Sequence, residues 1–503
     1  MLHRLGLTLI AFLAAIAMAP SFGNQGLDAQ EDETVQHRKA GDPERARRWA
    51  EAAVRGLDYV PGEVVVKFRE GVSLDTGQRV LRLALRRERP GTPHAIGDAY
   101  LVPLEGDGDD PARAAMVLTT QPEVEYAEPN RLYRLRAAPN DTYYTSQWNF
   151  GALDMERAWA INPGGAESVT VAVIDTGMAF KTITYGFRYW NGRVFVPVSI
   201  PFREADDLIR SGRIVSPRDY FWEDEEPVDM QGHGTHVAGT VGQLTNNGRG
   251  AAGIAYNVKL MPLKVCISQW DIQFLWGELG IQEFAPYLSG VCSTAAGAEA
   301  VRFAADQGAR VINLSLGGAE PSTLYADALR YAVGKGVFVA AAMGNEYEEG
   351  NPVDYPAAYA KDIDGMVSVG AVGRNLGRAW YSNTGPHLEL MAPGGDTRQS
   401  GSSGAILQQT LLDEYFDWPP ELLMVPRFDM LGYPTYYQGT SMATPHVAGV
   451  AALLINQGIT TPAAVESALK RTARDLGTPG FDEQYGYGLI QPRTALRGLG
   501  LAR

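Results

Sequence analysis

From about residue 140 the hydrophobic pattern consists of short apolar runs separated by longer amphipathic stretches. Continuous apolar runs of this length are typical of strands buried on both faces. They predict strands at 169–174, 258–264, 310–316, 337–343, 366–372 and 388–393. Helical spacing predicts helices at 234–245, 294–307, 321–335, 441–456 and 461–473. The alternation predicts an α/β fold, a parallel sheet flanked by helices on both faces. Functional groups gather at the carboxyl-end edge of such a sheet.

A second pattern precedes this one, over residues 57–136. The β-branched run VVVKF follows a Pro-Gly turn, a basic amphipathic helix comes next, and AYLVPL forms a strand at 99–104. A helix with Asp110 and Pro111 in the capping positions and a strand within 124–135 complete the pattern. Strand-helix-strand-helix-strand predicts a small α+β domain with its own core.

Two kinds of segment precede that domain. His3 and Arg4 lead into an apolar run at 5–19, which predicts a secretory signal peptide over 1–23. An N-terminal membrane anchor is the alternative, although the run is short for a membrane span. Residues 24–56 are polar and charged, and they predict a linker with one short helical stretch.

The charge balance narrows the range of partners. The formal net charge is −14 and the isoelectric point is near 5.1, so there is no electrostatic reason to bind nucleic acid or an anionic membrane. The basic run at 79–89 fits one solvated face of the amphipathic helix. We therefore expect no nucleic acid partner. No second apolar stretch is long enough to cross a bilayer, so we expect no stable membrane span, and we expect a monomer.

The two cysteines, Cys266 and Cys292, have two explanations. In an exported protein they form a disulfide that closes a loop of 27 residues, worth about 3.5 kcal/mol by loop-closure entropy. The alternative is two free buried thiols. The aromatic-rich segment at 266–293 and the segment at 395–438 interrupt the α/β pattern, and both are predicted to be surface insertions.

Four motifs beside predicted elements carry candidate chemistry. Asp175 directly follows a buried strand in VIDTG, and His233 begins a helix in GHGTHVAG. Asn345 follows an apolar strand in AMGNE, and Ser441 lies in the first turn of a long apolar helix in GTSMATPHVAG. Pro445 is tolerated there because amides at a helix start lack intrahelical partners. Taken singly, Asp175 could cap a turn and His233 could be structural.

Together the four residue types meet the needs of acyl transfer. A serine hydroxyl is a weak nucleophile and requires an imidazole to accept its proton. The imidazole requires a carboxylate that selects its tautomer and stabilises the imidazolium. The oxyanion requires fixed donors, here the Asn345 amide and the Ser441 backbone N–H at a helix start.

With these motifs the chain resembles the subtilisin-like serine proteases, the subtilase family, over about 140–495. The order Asp, His, Ser is that of subtilisin. The resemblance implies that Asp175 orients His233, that His233 is general base and then acid, that Ser441 attacks, and that Asn345 stabilises the oxyanion. Residues 57–136, with GEVVVKF and VEYAEPN, resemble the family's inhibitory propeptide. The implied protein is a secreted, self-processing endopeptidase precursor with its catalytic domain at 137–503.

Other chemistries fit these residues less well. His233 and His236 lack the His-Glu-x-x-His arrangement of zinc proteases. Ala443 replaces the second glycine of the α/β-hydrolase elbow, and His446 is expected to be structural. A catalytically silent relative acting as a scaffold, and a ligase or specific processing enzyme, stay open as alternative functions.

The resemblance also implies a substrate cleft. Ser315, Leu316 and Gly317 would pair with an extended peptide as an added strand. The walls of the S1 pocket, which takes the P1 side chain before the scissile bond, would include Ala342 and Gly344. Asp354 would lie at its base, where a carboxylate would favour Lys or Arg at P1; the alternative is a solvated or capped carboxylate.

Two further expectations come from the resemblance. The basic residues Arg131, Arg134 and Arg136 would suit self-processing near 136. The loop LTNNG after the histidine helix resembles a calcium-binding loop, which makes Asn246 a candidate calcium ligand. Catalysis itself is expected to need no cofactor.

Overall fold

The computed structural model describes residues 42–54, 57, 59–85, 93–104, 110–132, 138–288, 290–412, 416–417 and 425–498. The chain divides into two compact units, Met1–Leu132 and Tyr133–Arg503. The predicted signal peptide over 1–23 and the predicted processing point near 136 lie outside the described residues. No helix within the described ranges has both the length and the apolar character needed to cross a bilayer.

The first unit is a four-stranded antiparallel sheet with helices. Its strands are β1 (Tyr59–Phe68), β2 (His94–Ile96), β3 (Ala99–Pro103) and β4 (Val124–Arg131), and its helices are α1 (Pro43–Val54), α2 (Leu74–Ala84) and α3 (Pro111–Thr119). The spatial order is β2-β3-β1-β4. Val64, Val66, Leu81, Val102 and Leu118 are buried in its core. The three predicted strands and two predicted helices are present, and β2 is an additional strand that was not predicted. The helix α1, predicted within the linker, contacts β1.

The second unit contains most of the chain. Its strands are β5 (Thr170–Asp175), β6 (Ile183–Trp190), β7 (Phe195–Phe202), β8 (Arg218–Asp219), β9 (Lys259–Lys264), β10 (Cys266–Ile267), β11 (Val291–Cys292), β12 (Val311–Leu314), β13 (Phe338–Ala342), β14 (Met366–Val372), β15 (Leu390–Pro393), β16 (Thr410–Leu411), β17 (Phe416–Asp417), β18 (Val425–Pro426) and β19 (Leu431–Gly432). Its helices are α4 (Trp148–Ala152), α5 (Met155–Trp159), α6 (His233–Gly242), α7 (Gln269–Leu279), α8 (Thr294–Asp306), α9 (Thr323–Gly334), α10 (Thr397–Ser400), α11 (Thr440–Asn456), α12 (Pro462–Thr472) and α13 (Pro492–Arg497).

Seven parallel strands form the central sheet, in the order β15-β14-β13-β12-β5-β9-β8. All six predicted strands and all five predicted helices are present, which confirms the α/β fold. α6 and α11 belong to the core on one face of the sheet, and α8 and α9 to the core on the other face. From β5 the chain continues to β8 and β9 on one side of that strand and later to β12 on the other. The carboxyl ends of β5 and β12 therefore lie at a topological switch point, where open α/β sheets place their sites.

An added layer of aromatic side chains was not predicted. Strands β6 and β7 form an antiparallel hairpin around Asn191 and Gly192, a turn signal that the sequence carries. Phe187 of the hairpin stacks on Phe274 of α7, with ring centroids 4.2 Å apart. Cys266 and Cys292 are joined in a disulfide with an S–S distance of 2.00 Å. The segment at 266–293 is thus closed at its ends and carries α7 against the hairpin.

The segment at 395–438 was predicted to be a surface insertion, and this is wrong for residues 405–411, all of which are buried. Backbone carbonyls of this stretch accept from buried side chains: Ala405 O from Trp148 Nε1 at 3.0 Å, and Ile406 O from His236 Nε2 at 2.9 Å. A segment without regular hydrogen bonding stays buried only when its backbone is satisfied in this way. This part of the segment therefore belongs to the core.

Candidate active site

The first two candidate residues lie in direct contact. Asp175 ends β5 with 1% of its surface exposed, and His233 begins α6. Asp175 Oδ1 is 2.7 Å from His233 Nδ1 and also accepts the Thr176 N–H at 2.8 Å. Because an ionised carboxylate only accepts, His233 donates through Nδ1, which leaves Nε2 able to take a proton. Burial alone would lower the pKa of His233, but the charge and hydrogen bond of Asp175 and the charge of Asp229 raise it.

Ser441 is the second residue of α11, and a proline four residues later frees its carbonyl. Pro445 has no N–H, so the Ser441 carbonyl receives no helical bond from that position. The Ser315 hydroxyl donates to this carbonyl instead, at 2.8 Å, and the Asn313 amide donates to the same hydroxyl at 2.9 Å. Ser315 thus ties the end of β12 to the first turn of α11.

The Ser441 hydroxyl itself donates to the Ser315 carbonyl at 3.2 Å. In the described part of the chain no hydrogen bond joins it to His233. Without substrate, a hydrogen bond between a nucleophile and its base is often long or poorly aligned, so this does not exclude the predicted pairing. α6 and α11 pack against each other, so the imidazole and the hydroxyl are carried by neighbouring helices.

Asn345 follows β13 and contacts the residue before Ser441. Its Oδ1 accepts the Thr440 N–H at 2.8 Å and the Thr440 hydroxyl at 3.1 Å. The amide Nδ2 has no acceptor among the described residues and is therefore available to a ligand. The N-cap residue of α11 is a glycine without a capping side chain, and the Met442 and Ala443 N–H groups donate to its carbonyl at 2.9 and 3.2 Å. Among the described residues of this first turn, the Ser441 N–H is left as a further donor.

Asp354 lies between the two glycines that were predicted to line the substrate cleft. A Cβ at Gly317 would come within 1.8 Å of Asp354 Oδ1, and one at Gly344 within 3.1 Å of Asp354 Cβ. The residue is 6% exposed, and its Oδ1 has no hydrogen-bond partner among the described residues. Burial, followed by the charge of Glu346, raises the pKa of Asp354 to about 7. Glu346 was not predicted; it also accepts the Asn345 N–H at 2.7 Å.

The predicted calcium ligand lies beside two buried carboxylates. Asn246 has an exposed side chain, and its N–H donates to Asp141 Oδ2 at 2.9 Å. Asn247 Nδ2 donates to Asp207 Oδ1 at 2.6 Å. Within the described ranges neither Asp141 nor Asp207 has a cationic partner, and no group of three acidic, histidine or cysteine side chains could hold a metal. Asp207 also accepts hydrogen bonds from Gln243, Ala251 and Tyr433, all of them neutral donors. Because carboxylate and amide oxygens are ligands that calcium uses, calcium binding beside Asn246 stays a prediction.

His446 and His236 are buried on the inner side of these helices. His446 Nδ1 donates to the Met442 carbonyl at 2.9 Å, and Asn149 Nδ2 donates to its Nε2 at 2.8 Å. Burial lowers the pKa of His446 to about 4 and that of His236 to about 3. Both are therefore neutral packing residues at ordinary pH, as expected for His446.

Comparisons with known proteins agree with this architecture. Residues 166–488 match the Subtilase family, and residues 46–130 match the fervidolysin N-terminal prodomain. A thermophilic serine proteinase from Bacillus sp. (strain AK1) is 30% identical over 431 residues, covering 85% of this chain and 86% of the relative. An extracellular protease from Xanthomonas campestris pv. campestris is 31% identical over 379 residues, covering 71% of this chain and 57% of the relative.

A solved protease structure from Pseudoalteromonas arctica superposes with a TM-score of 0.52 and 29% identity, over 72% of this chain and 99% of that chain. The chain belongs to the subtilase family of serine peptidases. It is a subtilisin-like hydrolase of peptide bonds, preceded by a prodomain.

Proposed function

We propose that the chain is a secreted serine endopeptidase in which Asp175, His233 and Ser441 form the catalytic triad. The 2.7 Å bond from Asp175 to His233, at the sheet edge where α11 presents Ser441, carries the proposal. His233 takes the Ser441 proton as the hydroxyl attacks the carbonyl, and Asp175 stabilises the imidazolium. His233 then protonates the leaving amine, and water hydrolyses the acyl-enzyme by the same route.

The oxyanion of each tetrahedral intermediate would be bound by Asn345 and by the Ser441 N–H. The free Asn345 Nδ2 and the position of the Ser441 N–H in the first turn of α11 support this role. Ser315 would hold the Ser441 turn in place through its hydroxyl, while Leu316 and Gly317 pair with substrate backbone.

Secretion and self-processing form the second part of the proposal. The signal-peptide pattern, the Cys266–Cys292 disulfide and a relative named as an extracellular protease support export. The prodomain match supports an intramolecular inhibitor that is removed by cleavage near 136. The basic residues at that junction fit a preference for Lys or Arg at P1.

We propose that the Asp354 carboxylate contacts the P1 side chain and selects for a positive charge there. At pH 8 the ionised carboxylate should favour Lys and Arg over neutral P1 residues, and this preference should weaken towards pH 6 as Asp354 becomes protonated. A charge-assisted hydrogen bond contributes about 1.5–3 kcal/mol, so Asp354→Asn should lower the basic preference roughly 10- to 100-fold. The measurement is mass-spectrometric mapping of fragment termini from an unfolded protein digested at both pH values.

The same digest tests the endopeptidase proposal, which requires internal cuts. Asp364→Asn, which removes a charge from an exposed position, is the matched control and should leave the P1 profile unchanged. A purely aromatic or aliphatic P1 preference at pH 8 would overturn the role of Asp354. Removal of terminal residues alone would overturn endopeptidase activity.

We propose calcium as a structural stabiliser held near Asn246, Asp141 and Asp207. Calcium would neutralise the two buried carboxylates, so chelation should lower the melting temperature. Asp207→Asn should reduce this dependence on calcium, whereas Asp224→Asn, at an exposed position elsewhere, should retain it. Identical melting of the wild type with calcium and with chelator would count against the site.

A further inference from the structure

Asp229 lies four residues before His233 and is 1% exposed, yet it forms no direct ion pair among the described residues. Its Oδ1 accepts the Thr176 hydroxyl at 3.0 Å and the N–H groups of Gln231 and Gly232 at 2.9 and 2.8 Å. Its Oδ2 accepts the Thr235 N–H at 3.0 Å and the Thr235 hydroxyl at 2.7 Å. One buried carboxylate therefore accepts five hydrogen bonds.

These bonds join the two segments that carry Asp175 and His233. Thr176 directly follows Asp175, and its hydroxyl also accepts the Gly234 N–H at 2.9 Å. Gly232 and Thr235 flank His233 at the start of α6. Gly232 has no side chain to cap the helix, so other residues supply the acceptors at its start. Asp229 accepts the Gly232 and Thr235 N–H groups, while Gln231 Oε1 accepts the His233 N–H at 2.7 Å.

Asp229 also contributes charge to the same site. Its carboxylate is one of the groups that raise the pKa of His233, after Asp175. His236 is neutral because burial lowers its pKa to about 3. Lys264 on β9 lies behind the loop; its Nζ donates to Asp271 at 2.5 Å and to the Val228 carbonyl at 3.1 Å. Asp219 lies 3.9 Å from Lys264 Nζ. Burial alone would lower the pKa of Lys264, but the charges of Asp271 and Asp219, and after them the charge of Asp229, raise it, so this ammonium faces Asp229 as well as its two nearer carboxylates.

We propose that Asp229 is a positioning residue that holds Asp175 and His233 in register and supports the imidazolium through its charge. The proposal rests on the proposed roles of Asp175 and His233. Geometry and charge are separable, because the hydrogen bonds fix where His233 lies, while the charge sets the pH at which it loses its proton.

Two substitutions separate the geometric part from the electrostatic part. Asp229→Asn removes the charge and replaces one acceptor oxygen by a donor. Thr176→Val removes the hydroxyl that donates to Asp229 and accepts the Gly234 N–H, and it leaves the charge in place. Since misplacement by 1 Å can cost about 10²-fold, the pH-independent kcat should fall roughly 10- to 100-fold in Asp229→Asn and about 10-fold in Thr176→Val. KM should stay close to that of the wild type.

The pH profile of kcat/KM distinguishes this role from simple loss of packing. His233 must be neutral to accept a proton, so activity falls on the acid side as pH drops through its pKa. Without the Asp229 charge this pKa is lower, and the acid limb of Asp229→Asn should move to lower pH. The acid limb of Thr176→Val should not move, and Thr176→Ser, which keeps the hydroxyl, should restore wild-type kcat.

Glu225→Gln is the charge-matched control, because Glu225 is exposed in the same loop; its kcat and acid limb should match the wild type. Asp229→Asn with an unmoved acid limb, or with kcat within twofold of the wild type, would overturn the proposal. If Asp229→Asn does not fold, Thr176→Val with wild-type kcat overturns it. Ser441→Ala is assayed in parallel to distinguish failure of the Asp229 proposal from failure of the proposed function. Full activity of Ser441→Ala would refute the proposed catalytic triad, whatever the result for Asp229→Asn.

Discussion

Ser441→Ala should lower kcat for a peptide substrate by about 10⁶-fold, the loss known when the nucleophile is removed from subtilisin, a member of this family. The hydroxyl at the start of α11 is the group that bonds to the substrate carbonyl, and no other side chain can replace it. Substrate binding does not use this oxygen, so KM should change little. The residual rate would come from the oxyanion donors and from binding alone.

The same substitution tests self-processing. Expressed in a host without competing proteases, the wild-type chain should lose its first ~136 residues, whereas Ser441→Ala should keep its full length. Ser402→Ala, at an exposed position in a turn, is the matched control and should process normally. Adding active enzyme to the Ser441→Ala precursor would separate cleavage within one molecule from cleavage between molecules. Normal processing of Ser441→Ala in that host would refute self-cleavage.

Asn345→Ala should lower kcat by about 10²–10³-fold with little change in KM, a magnitude that comes from the equivalent loss in subtilisin. The free Nδ2 would bind the oxyanion in the tetrahedral intermediate more strongly than it binds the ground-state carbonyl. A donor used mainly in the transition state changes kcat rather than affinity. Steady-state kinetics on a single peptide measures both quantities.

Asn345 also supports Thr440, and a second substitution separates the two roles. Asn345→Asp keeps acceptors for the Thr440 N–H and hydroxyl, but it replaces the amide donor by a carboxylate oxygen. If the donor matters, Asn345→Asp should be at least as slow as Asn345→Ala. Near-normal kcat in Asn345→Asp would mean that the loss in Asn345→Ala arises from Thr440 and the start of α11.

The sequence allowed most of the architecture to be predicted. Strands buried on both faces appear in the sequence as continuous apolar runs. The predicted bounds therefore lie within two residues of the observed bounds for β5, β9, β12, β13 and β14. Local signals also mark Asp175, His233 and Ser441, because each lies where a strand ends or a helix begins. The hairpin β6–β7 was missed although its Asn-Gly turn is a local signal.

Other features depend on contacts between distant segments. The sequence gives no sign that Pro445 frees the Ser441 carbonyl for Ser315, 126 positions away. The burial of residues 405–411 is a second example. Side chains of α4 and α6 donate hydrogen bonds to backbone carbonyls of this segment.

The sequence by itself determined the fold class, the order of the candidate triad and the presence of a small α+β domain before it, because periodicity and local motifs encode them. That this domain is a prodomain came from its resemblance to the family's propeptide. Only the tertiary structure decided which carboxylates lie together and how much water reaches them. In the sequence Asp229 and Asp354 are ordinary acidic residues. In the folded chain Asp229 accepts five hydrogen bonds, and Asp354 is buried beside Glu346. The physical reason is that burial and hydrogen-bond partners set the properties of a charge, and both arise only when distant segments pack.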